Sequence, residues 1–172
     1  MPLHTPRVFN PDDYLQTPEG RVYTDERNAA AWERIYSELE ALFREATQET
    51  RFFIVIGVQG SGKTTWIQRH LVSLGPSAIC LDAALPAKRH RARALALAQR
   101  FKVNAIAVWI NVPLERALQQ NAKRAPDEVV PEVALRSVFG LIEIPTLEEG
   151  FLEVIEVKAR HAKAAQCRVV RG

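Results

Sequence analysis

Arg51-Phe52-Phe53-Ile54-Val55-Ile56-Gly57-Val58-Gln59-Gly60-Ser61-Gly62-Lys63-Thr64 is the stretch on which the fold turns. Its first six residues are a short apolar run with β-branched members, the pattern of a strand buried on both faces of a parallel sheet. Gly57 to Thr64 then fits G-x-x-x-x-G-K-[ST] at every position. Glycines let the backbone turn tightly and bring several amide hydrogens onto phosphate oxygens, and the following helix adds its positive N-terminal end. The spacing assigns phosphate contacts to Gly57, Gln59, Gly60, Ser61, Gly62, Lys63, Thr64 and Thr65. Lys63 is expected to reach the β- and γ-phosphates of ATP and the Thr64 hydroxyl to ligate Mg²⁺. A helix from Lys63 to about Leu74 is predicted, stopped by Gly75-Pro76.

Outward from this loop the pattern alternates. Ala78-Ile79-Cys80-Leu81 reads as a strand ending at Asp82, Lys88 to Arg100 as a helix, and Ala105 to Ile110 as a further strand. Pro113 can open a helix reaching about Arg124, because a first-turn proline lacks only an amide hydrogen that had no partner. A helix after Pro131 and a strand within Phe151 to Val157 complete the series. Towards the N-terminus, Trp32, Ile35, Tyr36, Leu39, Leu42 and Phe43 recur at three- and four-residue steps and share one helix face. The stretch before Asp25 reads as loop with one short strand near Arg7 to Phe9. Strands alternating with helices imply an α/β fold, a three-layer P-loop NTPase with a central, mainly parallel sheet flanked by helices. Residues 1–172 read as one domain, with 1–50 as a substrate-side element and 51–172 as nucleotide-binding core and lid.

Composition bounds the rest. The 172 residues suit one core, and 23 basic against 20 acidic residues give a net charge of +3, which permits a nucleic-acid partner without arguing for one. Cys80 and Cys167 lack metal-ligand spacing and read as free thiols. No segment is long and apolar enough to span a bilayer and Met1 to Pro6 shows no signal-peptide pattern, so the cytoplasm is the default. Lys88-Arg89-His90-Arg91-Ala92-Arg93 is the densest basic run. It reads either as a solvated helix face or as an electrostatic footprint for nucleic acid or a phosphorylated substrate. Asp82, at a strand C-terminus, is placed to hold a Mg²⁺ hydration shell, to orient an attacking group, or to cap the next turn.

From Gly57 onward the residues resemble the polynucleotide-kinase-like branch of P-loop kinases, related to the AAA and zeta-toxin P-loop proteins. Leu81-Asp82-Ala83-Ala84-Leu85 with Arg89 to Arg93 resembles the family's strand-aspartate and arginine-bearing helix. Ile110-Asn111-Val112-Pro113 resembles its connection to the lid, Asn121-Ala122-Lys123-Arg124 the lid, and Pro145-Thr146-Leu147-Glu148-Glu149-Gly150-Phe151 a C-terminal signature. The resemblance implies a lid arginine on the transferring phosphoryl group, with Arg124 first and Arg116 second. It also implies a general base from an Asp-Asp-Tyr-like segment that normally follows the P-loop helix. Here that helix runs almost directly into the Asp82 strand, and the matching segment, Val8-Phe9-Asn10-Pro11-Asp12-Asp13-Tyr14, stands at the N-terminus. The expectation is a rearranged order, with this segment a parallel strand beside the P-loop strand and Asp12 in the acceptor pocket. Asp82 is the alternative base, and a plain turn with a helix cap the alternative for Asp12. Leu15 stands where some members carry a phosphate-binding arginine. The implied activity is transfer of the ATP γ-phosphoryl group to a hydroxyl on a nucleic-acid end, a nucleoside or another small molecule. A toxin-like nucleotide-sugar kinase and a non-catalytic, nucleotide-gated ATP-binding module are the alternatives.

Overall fold

The computed structural model describes residues 5–158 and 166–171. Eight strands and five α-helices follow in the order β1 (Arg7–Phe9), β2 (Gln16–Thr17), β3 (Gly20–Arg21), α1 (Asp25–Arg44), β4 (Arg51–Ile56), α2 (Lys63–Leu74), β5 (Ala78–Asp82), α3 (Lys88–Arg100), β6 (Asn104–Asn111), α4 (Leu114–Asn121), α5 (Glu132–Gly140), β7 (Glu153–Lys158) and β8 (Gln166–Arg171). Six strands form one sheet in the order β1-β5-β4-β6-β7-β8, while β2 and β3 make a separate hairpin. Every pairing in the large sheet is parallel except β7 with β8.

Period-2 alternation divides the core into two layers. On one face Phe52 and Ile54 of β4, with Ile79 and Leu81 of β5, pack against Ile35, Leu39 and Phe43 of α1 and Leu95 of α3. On the other, Phe53 and Val55 meet Ile67 of α2, Ala117 of α4 and Leu135 of α5. The sheet is thus covered on both sides, as its apolar strands require. The helix face from Ile35 to Phe43 is the one expected from sequence. Its start is fixed by Thr24, whose Oγ1 accepts the amide of Arg27 at 3.1 Å, with Asp25 and Glu26 in the first turn favoured by the helix dipole.

Two expectations need correction, and one strand was not expected. β1 is parallel but lies beside the Asp82 strand, Arg7 opposite Ile79 and Phe9 opposite Leu81, and not beside the P-loop strand. Both edges of β4 are already taken, by β5 and β6. The short turn after α2 leads straight into β5, so the open edge on that side belongs to β5. The helix after Pro113 stops at Asn121, and Lys123 and Arg124 lie in the turn beyond it. β8 adds an antiparallel strand that no sequence pattern announced.

In the basic run of α3, Lys88, Arg89 and Arg93 are exposed, as expected of a solvated face, and Arg91 is the exception. Arg91 is fully buried and pairs with Glu149 through both ends of its guanidinium, Nε and Nη2 each donating at 2.8 Å. It also donates to the carbonyls of Leu85, Pro86 and Glu143 at 2.9, 3.0 and 3.1 Å. Arg93 lies 4.0 Å over the ring of Tyr36 and pairs with Glu33 of α1. The segment Thr146 to Gly150 therefore serves as a clasp. Glu149 accepts the amide of Thr146 at 3.1 Å while holding Arg91, and ties the approach to β7 onto α3.

Candidate functional site

The C-terminal ends of β1, β5, β4 and β6 open into one cleft of about 850 Å³. Backbone conformation sets its floor. Gly60 (φ +75°) and Gly62 (φ +97°) occupy the left-handed region that side chains resist. At Gly60 space matters as well, since a Cβ there would run into the carbonyl oxygen of Ala117 and come within 2.9 Å of the amide of Asn121. The end of α4 thus rests on the phosphate loop. Ser61 Oγ is buried there with no hydrogen-bond partner among the described residues, and an unsatisfied hydroxyl donor suits an anion with many oxygens. Among the residues lining the cleft, Lys63, Arg69, Arg116, Arg124 and Lys158 are cationic while Asp12 and Asp82 are the carboxylates, so the walls favour a polyanion.

Lys63 Nζ donates to the carbonyl of Val58 at 3.2 Å. Burial lowers its pKa, while Asp82 and Asp12 pull it back up and Arg124 opposes them. Thr64 Oγ1 donates to Asp82 Oδ2 at 2.6 Å. Asp82 itself is buried at the end of β5. A hydroxyl and a carboxylate this close form an oxygen pair of the kind a hard cation takes. The described residues hold no cluster of three His, Cys, Asp or Glu that could cage a metal. The donor set therefore fits Mg²⁺, which completes its shell with water and phosphate oxygens, and does not fit a protein-caged metal.

Asp12 lines the same cleft. It stands in a 3₁₀ turn, Pro11–Leu15, opened by Asn10, whose Oδ1 accepts the amide of Asp12 at 3.0 Å. The Nδ2 of Asn10 reaches Asp82 Oδ2 at 3.4 Å. Asn10 thus joins the N-terminal segment to the end of β5, a connector that sequence reasoning passed over although its N-cap position before Pro11 was readable. Asp13 has its pKa raised, first by burial, then by Asp12 and Asp82, with Arg21 opposing. Leu15 is buried in the core and is not among the residues lining the cleft.

The lid side was only partly foreseen. Arg116 and Arg124 both line the cleft. Arg124 Nη2 lies 3.6 Å from Glu128 Oε2, and the same carboxylate takes Arg21 Nη2 at 3.3 Å. Arg21 Nη1 in turn donates to Asp12 Oδ2 at 2.9 Å. The result is an alternating chain, Asp12–Arg21–Glu128–Arg124, running from the N-terminal segment to the lid. Arg21 also donates its amide to Asp127 Oδ2 at 3.0 Å, which docks the β2–β3 hairpin on the loop after α4. Asn121, expected in the lid, is the last residue of α4 and holds the segment that follows. Its buried amide side chain brackets Val130, donating to the carbonyl at 2.7 Å and accepting from the amide at 3.0 Å. Nothing in sequence spacing signals ion pairs between residues 12, 21 and 128.

No protein-family model matches the chain, and no curated protein matches it. Solved structures do. A chain in the crystal structure of AvrRxo1-ORF1:-ORF2 with ATP superposes on 92% of this chain, over 70% of its own length, at 13% identity and a TM-score of 0.57. The AvrRxo1-ORF1:AvrRxo1-ORF2 structure with sulphate ions gives 89%, 69%, 12% and 0.57, and the native complex 90%, 70%, 12% and 0.58. At such identities the likeness is one of fold, and the fold is that of the P-loop NTPases. No helix among the described residues is long and apolar enough to cross a membrane, and the side chain of Cys167 lies outside the described residues.

Proposed function

We propose that this protein is an ATP- and Mg²⁺-dependent phosphotransferase that moves the γ-phosphoryl group to a hydroxyl acceptor. The observation that carries the reading is one cleft in which the phosphate loop, the Thr64–Asp82 pair and Asp12 face one another. A neighbour of the same fold solved with ATP supports the choice of nucleotide.

In this reading the loop from Gly57 to Thr65 holds the phosphates by backbone amides, with the buried Ser61 hydroxyl donating to the same oxygens. Lys63 leaves the Val58 carbonyl for the β- and γ-phosphates and neutralises charge where the bridging bond breaks. Thr64 and Asp82 hold Mg²⁺, which when bound supplies charge neutralisation on the phosphate oxygens. Arg21 occupies one oxygen of the Asp12 carboxylate, leaving Oδ1 to accept the proton of the acceptor hydroxyl. Arg124 turns from Glu128 to the transferring group. Arg116, on the same wall, is the second candidate for that charge.

The test is label transfer from [γ-³²P]ATP with Mg²⁺ to a 5′-hydroxyl oligonucleotide, a nucleoside and a nucleotide sugar, in parallel for wild type and Asp12→Asn. Transfer by the wild type and its loss in Asp12→Asn, with ATP binding retained, is the expected result. ATP bound but no label moved to any acceptor supports a non-catalytic nucleotide-binding module instead. Equal transfer by Asp12→Asn moves the base to Asp82.

A further inference from the structure

Trp66 and His70 stand one turn apart on α2 and stack, with ring centroids 4.5 Å apart and planes inclined by 20°. Both line the cleft, and neither is used by the phosphate chemistry. His70 is held in place by its backbone, Nδ1 donating to the carbonyl of Trp66 at 2.7 Å. A carbonyl only accepts, so Nδ1 carries the hydrogen and the ring is fixed in one orientation. Trp66 is anchored from below, packing on the core layer that contains Val58, Ile110, Val112 and Val157.

Helix geometry sets the direction of this pair. Trp66 follows Thr64 by two residues, a rotation of about 200° at ~100° per residue, so the rings lie on the opposite flank of α2 from the hydroxyl that meets Asp82. The acceptor side, with Asp12 and Asp82, is therefore behind them, and the β6–β7 side, with Val112, Val157 and Lys158, is in front. Along the axis, His70 lies six residues past Thr64, about 9 Å at the rise of an α-helix. That is the reach of a ribose and base beyond phosphates seated at the helix N-terminus.

We infer that Trp66 and His70 form the platform that receives the nucleobase of the bound nucleotide, an inference that rests on the phosphate-loop reading above. Two stacked planar rings, rigid and apolar, offer the face a purine stacks on, and the flank they occupy carries no carboxylate among the residues lining the cleft. Phosphate recognition and base recognition are then separate, the first made by backbone and charge, the second by aromatic surface.

The separation is tested by calorimetric titration of the wild type, Trp66→Leu and His70→Ala with ATP and with inorganic tripolyphosphate, in Mg²⁺ buffer. Circular dichroism checks each fold, and leucine keeps the apolar contact beneath Trp66. The wild type is expected to bind ATP about tenfold or more tighter than tripolyphosphate. Trp66→Leu should bring ATP to within about threefold of tripolyphosphate, His70→Ala should weaken ATP by a smaller factor, and tripolyphosphate should stay unchanged in both. Unchanged ATP affinity in both variants overturns the platform, as does equal weakening of both ligands. Tripolyphosphate binding the wild type as tightly as ATP overturns the platform alone. Failure of the wild type to bind either ligand overturns the phosphate-loop reading and the platform with it.

Discussion

Replacing Arg91 by methionine keeps most of the side-chain volume but removes a buried cation that makes five hydrogen bonds. What remains is Glu149, whose side chain is 7% exposed, as a carboxylate with no cation beside it. Breaking a buried pair from one side costs about 3–5 kcal/mol. The carbonyls of Leu85, Pro86 and Glu143 lose their donor as well, and Leu85 sits at φ +40°, a conformation a leucine keeps only when its surroundings enforce it. For a chain of this length each kcal/mol moves the melting temperature by about 2–4 °C, so Arg91→Met should melt roughly 6–20 °C below wild type. Arg89→Ala, an exposed change in the same basic run, should fall within about 0.5 kcal/mol of wild type. Thermal melts followed by circular dichroism decide it. The double variant Arg91→Met, Glu149→Leu should recover part of the loss, because no lone buried charge is left. A melt of Arg91→Met within ~2 °C of wild type would refute the reasoning.

Lys63→Ala should lower phosphoryl transfer by ~10²-fold or more while the melting curve stays near wild type; unaltered turnover would sink the role of this loop. Arg124→Ala should cut kcat by about 10²-fold with a much smaller rise in the ATP KM, because the charge it meets develops in the transition state; an unaltered kcat moves the role to Arg116. Gly60→Ala should destabilise by ~1–3 kcal/mol and weaken ATP binding, since its Cβ meets Ala117 and Asn121 of α4; titration and a melt read both. Burial, with Asp82 adding to it, pushes the Cys80 thiol up to about 12. The neutral form of this acid is thereby favoured, and at pH 8 only about one part in 10⁴ is thiolate. Iodoacetamide should leave Cys80 unlabelled in the native protein and label it in denaturant, read by peptide mass mapping.

How much of this was legible follows from range in the sequence. Signals carried by neighbouring residues read correctly: the glycine loop between β4 and α2, the strand ending at Asp82, the α1 face and the breaks at Gly75 and Pro113. β1 was legible as a strand but not in its place. Of its three residues only Phe9 is buried, which leaves the pattern with no preference for a partner. Arg91 looked like one charge in a solvated run because its partner is 58 residues away. The same holds for Arg21, whose links to Asp12 and Glu128 set the geometry of the cleft's two sides. Trp66 and His70 carried no signal in the sequence, since the cleft they line forms only when α2 packs against the sheet.

The edge position of β1 has a consequence for how the molecule is built. Arg7 pairs with Ile79, so the first strand made has no template until some seventy residues later, when β5 exists. Closing a loop of that length is entropically unfavourable, and three residues of ladder return little. The β4–α2–β5 unit, whose contacts are nearer in sequence, can assemble first, with β1 docking afterwards on a finished edge. Folding order then orders competence. In that order the glycine loop is in place before Asn10 and Asp12 dock beside it.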